Sequence, residues 1–254
     1  MNLTEQVVLV TGASRGLGEA IAKAFGREGA KVVVNYFNSE DKANSVVDEI
    51  GHDRAIAIKA DIRKEQDVRR LFEEAKAHYE KPITTIVNNA LVAFKFDAVN
   101  RKTAEQIEWN DYLIQLEGSV KGSLNTIQAG KKDMAEMKFG RVINIGTNLV
   151  QNPVVPYHDY NTSKAALLGF TRTMAKELGA DGITVNMVSG GLLQQTDASS
   201  ATSLEVFELI KQSTPLQKVT TPEDLADTVL FFAAPWSRAV TGQNLVVDGG
   251  LVMD

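Results

Sequence analysis

The chain has 254 residues, 44% hydrophobic and 23% charged, with a formal net charge of −5 and no cysteine. These values exclude a disulfide scaffold and thiol chemistry, and without a basic block they give no reason to expect a nucleic-acid surface. No apolar run is long enough to cross a membrane and the first residues lack a secretory-leader pattern, so a cytoplasmic protein with no membrane partner is expected.

The first predicted strand is the β-branched run Val7-Val8-Leu9-Val10. It runs into Thr11-Gly12-Ala13-Ser14-Arg15-Gly16-Leu17-Gly18, and Glu19 to Phe25 then carry a helical pattern with Ile21 and Phe25 on one face. Strand, glycine turn and helix open a dinucleotide-binding unit. Glycine allows a sharp turn and close approach of a pyrophosphate, and the helix N-terminus offers free N–H groups to it. The spacing is G-x-x-x-G-x-G, not the commoner G-x-G-x-x-G.

Lys31 to Tyr36 predict a second strand. A carboxylate near its end would hold a ribose 2′-hydroxyl and disfavour a 2′-phosphate. Asn35, Tyr36, Phe37, Asn38 and Ser39 stand there instead, with Glu40 the first acid, and Arg15 is available to pair with a phosphate. NADP(H) is therefore expected over NAD(H).

Further on, Glu40 to Ile50 predict a helix, Ala55 to Ala60 a strand, Glu65 to Tyr79 a helix and Ile83 to Val87 a strand ending in Asn88-Asn89-Ala90. A long helix is expected from about Thr103 to Met137, bent near Gly118 or Gly122, with Thr103 as N-cap and Gln106 completing a capping box. Arg141 to Ile145 form the fifth strand, His158 to Leu178 a long helix and Ile183 to Val188 the sixth strand. The mixed segment 192–215, expected to be the substrate loop or lid, includes a short helix around Leu204 to Gln212. Thr221-Pro222 opens a helix to about Ala233, and Asn244 to Val247 form a last strand. The alternation predicts a doubly wound, mostly parallel seven-stranded α/β sheet, one Rossmann-type domain over 1–254. Ligands of such sheets lie beyond the strand C-termini, where Gly12, Asn35, Asp61, Asn88, Thr147 and Ser189 fall.

Tyr160 and Lys164, at i and i+4 near the start of a helix, share a face. An adjacent cation favours a phenolate, and a tuned phenol can give a proton to a carbonyl oxygen or take one from an alcohol. His52, His78 and His158 are scattered without ligand spacing, so no metal is expected. Phe94 and Phe96 are read either as the substrate mouth or as core.

Taken together, Thr11 to Gly18, Asn88-Asn89-Ala90, Tyr160-x-x-x-Lys164 and the Asp248-Gly249-Gly250 tail resemble, in order and over the full length, the short-chain dehydrogenase/reductase family, its 3-oxoacyl-[acyl-carrier-protein] reductase branch in particular. The resemblance implies NADPH-dependent reduction of a small or carrier-protein-bound ketone, as in fatty acid biosynthesis, by a homotetramer. It makes Tyr160 the proton donor and Lys164 a ribose ligand. For the cofactor it implies Gly12, Ser14, Arg15, Gly16, Leu17 and Gly18 in the turn, and Asn35, Tyr36, Phe37 and Ser39 at the second strand's end. Asp61 and Ile62 would meet adenine, with Asn89 and Ala90 beside them and Gly190, Gly191 and Thr196 in the loop above. Thr147 stands where the family usually has Ser, keeping the hydroxyl but adding a stiff methyl. No Asn has the family's N-x-x-G context in the long helix. Ser119 is preferred in its place and Gln115 is the alternative. Leu91 replaces a usual Gly and Gly190 a usual Pro. Two other readings stay open: a nucleotide-binding protein with little catalysis, or an alcohol or sugar dehydrogenase working oxidatively.

Overall fold

The computed structural model describes every residue except Gln195, Asp197, Ala198, Ala201 and Asp254. Seven parallel strands, β1 (Val7–Val10), β2 (Lys31–Tyr36), β3 (Ala55–Lys59), β4 (Thr85–Asn88), β5 (Gly140–Thr147), β6 (Ile183–Gly190) and β7 (Asn244–Val247), lie in the order β3-β2-β1-β4-β5-β6-β7. The order reverses between β1 and β4, which opens the crevice where such sheets take a ligand.

Among the described residues there are eight α-helices: α1 (Gly16–Arg27), α2 (Glu40–Ile50), α3 (Glu65–Tyr79), α4 (Trp109–Leu116), α5 (Gly122–Glu136), α6 (His158–Leu178), α7 (Leu204–Ser213) and α8 (Pro222–Ala233). Successive strand residues point to opposite faces, so a strand covered on both sides must be apolar throughout. In β1, Val8 and Val10 pack with Ile21 and Phe25 of α1 and Val229 and Phe232 of α8, while Val7 and Leu9 pack with Leu71 and Phe72 of α3. This explains the unbroken Val-Val-Leu-Val run.

A line of buried polar side chains is paired across the sheet. Thr126 Oγ1 of α5 donates to Asn88 Oδ1 (2.8 Å), Asn88 Nδ2 to Asn144 Oδ1 (2.9 Å) and Asn144 Nδ2 to Thr171 Oγ1 (2.8 Å). This buried ladder runs from α5 through β4 and β5 to α6. Removing any rung would leave buried donors or acceptors unmatched, at about 1–3 kcal/mol each. Buried Gln6, just before β1, accepts from Thr85 Oγ1 (2.6 Å) and donates to the Ala233 carbonyl (3.0 Å).

Two sequence expectations change and one is refined. First, the long helix starts at Trp109, not Thr103. Thr103 N–H bonds Gln106 Oε1 (3.0 Å) in an isolated turn, while Glu108 and Asp111 form the capping box. Lys102 Nζ, 2.6 Å from Asp111, ties the intervening loop to that helix start. Second, the bend falls where expected, as a π-helical turn, Glu117–Lys121, that contains Gly118 and ends just before Gly122. A side chain on Gly118 would meet Val92 (2.8 Å), and one on Gly122 would meet Ile62 (2.5 Å), so both glycines let loops approach the helix. Third, β5 and β6 run two residues further than their apolar cores, because Gly146 and Thr147 pair with Ser189 and Gly190. That extension puts Thr147 at the mouth of the sheet.

Candidate active site

The first part of the site is the turn after β1. Gly12 (φ +64°) and Gly16 (φ +57°) have left-handed backbone that glycine adopts without strain. A Cβ on Gly12 would lie 2.9 Å from Ala90 Cα. One on Gly18 would run into the Gly12 carbonyl and come 2.6 Å from Asn89 Nδ2. Arg15 is the N-cap residue of α1, and its side chain makes no cap hydrogen bond. The first N–H groups of α1 thus face the crevice without a side-chain cap, beside a Gly16 whose missing Cβ would meet nothing nearer than Thr196 Cβ at 3.8 Å. This bare cradle on a helix N-terminus fits a dinucleotide pyrophosphate.

The turn is clamped from behind. Thr11 Oγ1 accepts from the backbone N–H groups of Asn89 (2.9 Å) and Ala90 (3.0 Å), and Asn89 Nδ2 donates to the Thr11 carbonyl (2.9 Å). Asn35, 2% exposed, accepts from Gly12 N–H (3.3 Å) and donates to the Ile58 (3.3 Å) and Ala60 (3.2 Å) carbonyls. Asn35 is therefore a bracket between turn and sheet, and its side chain is not presented to a ribose as the sequence suggested. Tyr36 is likewise buried, whereas Phe37 is exposed and Ser39 half-buried at the strand end. Leu17 packs its side chain into the core. Ser14, Arg15 and Gly16 line a cleft of about 380 Å³ together with Lys42 of α2 and Pro222 of α8.

Beyond β3, the Asp61 carboxylate is gripped by Arg63 through Nε (2.9 Å) and Nη2 (2.8 Å), which holds it below the usual carboxylate range. The Arg63 guanidinium also lies 5.8 Å from the centre of the Phe37 ring. Sequence reading missed Arg63, because nothing local marks a residue that folds back on Asp61. Ile62 is buried, and its carbonyl accepts from Asn125 Nδ2 (2.8 Å).

The second part lies where β5 meets α6. Tyr160 and Lys164 share a helix face as their spacing required, with Lys164 Nζ 5.8 Å from the centre of the Tyr160 ring. Thr147 Oγ1 accepts from Leu149 N–H (3.3 Å), and its hydroxyl acts on the Tyr160 phenol, pulling it down. Lys164 Nζ donates to the Ile145 carbonyl (2.7 Å). Tyr160 is only 5% exposed. Burial pushes its hydroxyl up to about 12, against the pull of Thr147, and burial pushes Lys164 down to about 8. The phenol is thus raised by desolvation where a lowering by its lysine is expected, and the group that pulls it down is Thr147.

Aromatic rings enclose Tyr160. Phe94 stacks on it, centroids 4.6 Å apart and planes 16° apart, and Phe96 meets it edge-on at 5.3 Å. Tyr157 closes the cluster edge-on against Phe94 at 5.2 Å. Of the two readings of Phe94 and Phe96, mouth or core, the rings belong to the mouth.

The stand-ins for the helix Asn separate. Ser119 Oγ lies 3.3 Å from Ser163 Oγ, which donates to the Tyr160 carbonyl (2.9 Å). Ser119 thus backs the helix turn that carries Tyr160, and its hydroxyl meets Ser163 and not the lysine. Gln115 Nε2 donates to the Val92 carbonyl (2.9 Å) and grips the loop. Gly190 and Gly191 let Leu225 and Asp248 come close, and Thr196 Oγ1 pairs with Ser199 (2.8 Å) above Gly16. Asp248 also accepts from Asn148 Nδ2 (2.9 Å) and from the backbone N–H groups of Gly250 and Leu251 (both 3.0 Å), steadying the residue next to Thr147. The Asp-Gly-Gly tail was its only sequence signal. Among the described residues no cluster of three metal-ligating side chains occurs.

The buried lysine makes the first testable prediction. The unfolded chain holds the Lys164 proton up to about 10.5 and the folded, nucleotide-free chain only to about 8. Below 8 the ammonium is charged in both states and its burial cost is complete. Between these values the unfolded state binds more protons, so stability rises with pH, by about 3 kcal/mol in total from this group. Urea unfolding of Lys164→Met should lack that rise, and curves that stay parallel from pH 8 to 10 would refute it.

A doubly wound parallel sheet with a glycine cradle at its reversal point defines the class, a Rossmann-type dinucleotide-binding protein. The family model described as Enoyl-(Acyl carrier protein) reductase matches residues 12–252. A 3-oxoacyl-[acyl-carrier-protein] reductase of Synechocystis sp. is 37% identical, covering 99% of this chain and 98% of the relative. The 3-oxoacyl-[acyl-carrier-protein] reductase FabG of Staphylococcus aureus is 35% identical over 100% of both. A solved dehydrogenase/reductase from Sinorhizobium meliloti superposes with a TM-score of 0.87 at 31% identity, covering 99% of this chain and 97% of that one. The chain belongs to the short-chain dehydrogenase/reductase family, and it is an oxidoreductase that works with a nicotinamide cofactor.

Proposed function

We propose that the protein reduces the ketone of a 3-oxoacyl group carried as a thioester, on a carrier protein, with NADPH. The observation that carries this reading is the Tyr160 and Lys164 pair on one face of α6, with Lys164 on the Ile145 carbonyl and the Thr147 hydroxyl at the end of the same strand, β5. The turn from Gly12 to Gly18 would hold the pyrophosphate, and Lys164 would exchange its Ile145 carbonyl for the ribose. Arg15 and Lys42, which line one cleft, would face a 2′-phosphate, and no carboxylate stands between Tyr36 and Ser39 to repel it. When bound, the nicotinamide supplies hydride to the ketone carbon. Tyr160 gives its proton to the ketone oxygen, which Thr147 orients. A phenol pushed up to about 12 is fully protonated at neutral pH, which suits it to this reductive direction.

The supporting relatives are the reductases named above. Exposed Trp109 and Leu113 on α4 and exposed Trp236 beside α8 support the homotetramer that the resemblance implies. We place it in the cytoplasm as one domain. No helix among the described residues is long and apolar enough to cross a membrane.

The test follows cofactor oxidation by absorbance with a 3-oxoacyl thioester. NADPH should be used at least about tenfold better than NADH, and Arg15→Ala should erase most of that margin through KM for NADPH, an effect of about 1.5–3 kcal/mol. Failure to oxidise either cofactor with any 3-oxoacyl thioester would refute the reading.

A further inference from the structure

The group that must touch a substrate carbonyl is the one the structure covers. Tyr160 is 5% exposed, and the ring covering it belongs to the loop between β4 and α4. That placement is built into the loop. Val92 is held by Gln115 through its carbonyl (2.9 Å) and fits against Gly118, where any side chain would collide with it (2.8 Å). The next residue, Ala93, has φ +48°, a left-handed conformation that a residue with a Cβ adopts at a cost. This reversal turns Phe94 onto the face of Tyr160, and Phe96 and Tyr157 wall the sides. Anchor, strained joint and stacked ring together seat Phe94 on the face of Tyr160.

We propose that Phe94 is a specificity-determining residue, a plug that is displaced only by a ketone bringing comparable apolar surface beside its carbonyl. The inference rests on the reductase reading above and narrows its substrate class. Aromatic stacking and apolar burial hold Phe94 in place, and opening the loop surrenders both. A short ketone such as a 3-oxobutanoyl group leaves the vacated walls bare. A longer acyl chain or a ring covers Tyr157 and Phe96 again and offsets the loss. Small ketones therefore meet a shut site, and longer ones open it. The release of strain at Ala93 aids opening for either substrate and does not discriminate between them.

The experiment compares 3-oxobutanoyl with 3-oxodecanoyl thioesters of N-acetylcysteamine, with NADPH, in the wild type, Phe94→Ala and Phe94→Leu. The wild type should favour the longer chain in kcat/KM by at least about tenfold, roughly what one or two buried methylenes are worth. Phe94→Ala should shrink that ratio about tenfold, mainly by raising the short-chain value, with Phe94→Leu between them. A readout independent of turnover is nitration of Tyr160 by tetranitromethane, mapped by peptide mass spectrometry. It should be slow in the wild type and several-fold faster in Phe94→Ala. A chain-length ratio unaffected by Phe94→Ala, or equal nitration rates, overturns the plug. If no thioester is reduced by any of the proteins, the reductase reading falls, and the nitration rates alone decide whether Phe94 guards Tyr160.

Discussion

Tyr160→Phe is expected to lower turnover of a 3-oxoacyl thioester by about 10³-fold, within the span that positioned general acids supply. Only the hydroxyl is removed. The ring stays stacked under Phe94, and Lys164 keeps its Ile145 carbonyl, since neither contact uses the phenolic oxygen. Dissociation of NADPH, followed by fluorescence titration, should change by less than about threefold. Retained turnover would show that the proton comes from elsewhere. Thr147→Val makes a useful companion. It removes the hydroxyl that pulls the phenol down, so Tyr160 should lose acidity, and the loss in kcat should exceed the change in nucleotide affinity.

The second large effect belongs to Gly18. An alanine there places a methyl against the Gly12 carbonyl and 2.6 Å from the Asn89 amide, and the collision partners are the backbone and the side chain that clamp the nucleotide turn. Relief requires the turn to shift, at about 3 kcal/mol or more, or a fall in melting temperature of about 6–12 °C for a chain of this length. Nucleotide affinity should be lost with it, because the cradle and the start of α1 move together. Gly169→Ala is the control. Gly169 lies inside α6 with nothing within 4 Å of the added methyl, so the change should be neutral or stabilising by up to about 1 kcal/mol. Equal stability for the two variants would contradict the packing described at Gly18.

These two predictions concern features that are legible in the residues. The glycine turn is legible because its function is backbone conformation, which glycine marks directly. The Tyr160 and Lys164 pair is legible because helix periodicity alone puts i and i+4 on one face. What lies across the fold from its own sequence neighbourhood is not legible. Asn35 sits where a ribose ligand is expected, yet its amide is consumed by Gly12, Ile58 and Ala60, contacts that exist only once β2 lies between β1 and β3. Ser119 has suitable spacing, but the π-helical turn rotates it onto Ser163. The raised phenol of Tyr160 follows from burial, and Phe94, whose ring stacks on it, comes from a distant loop that no local pattern announces. Thr103 and Gln106 form a valid capping signal that another, five residues on, outcompetes.

The clamp behind the glycine turn also has a kinetic meaning. The motif from Gly12 to Gly18 is synthesised well before the donors that shape it, Asn89 and Ala90, which lie more than seventy residues downstream, and β1 has β4 as one of its two neighbours. A nascent chain paused before β4 therefore carries the fingerprint without a binding crevice. Closing so long a loop before any reward is collected slows folding, and it leaves an unpaired parallel edge open to chaperones in the meantime.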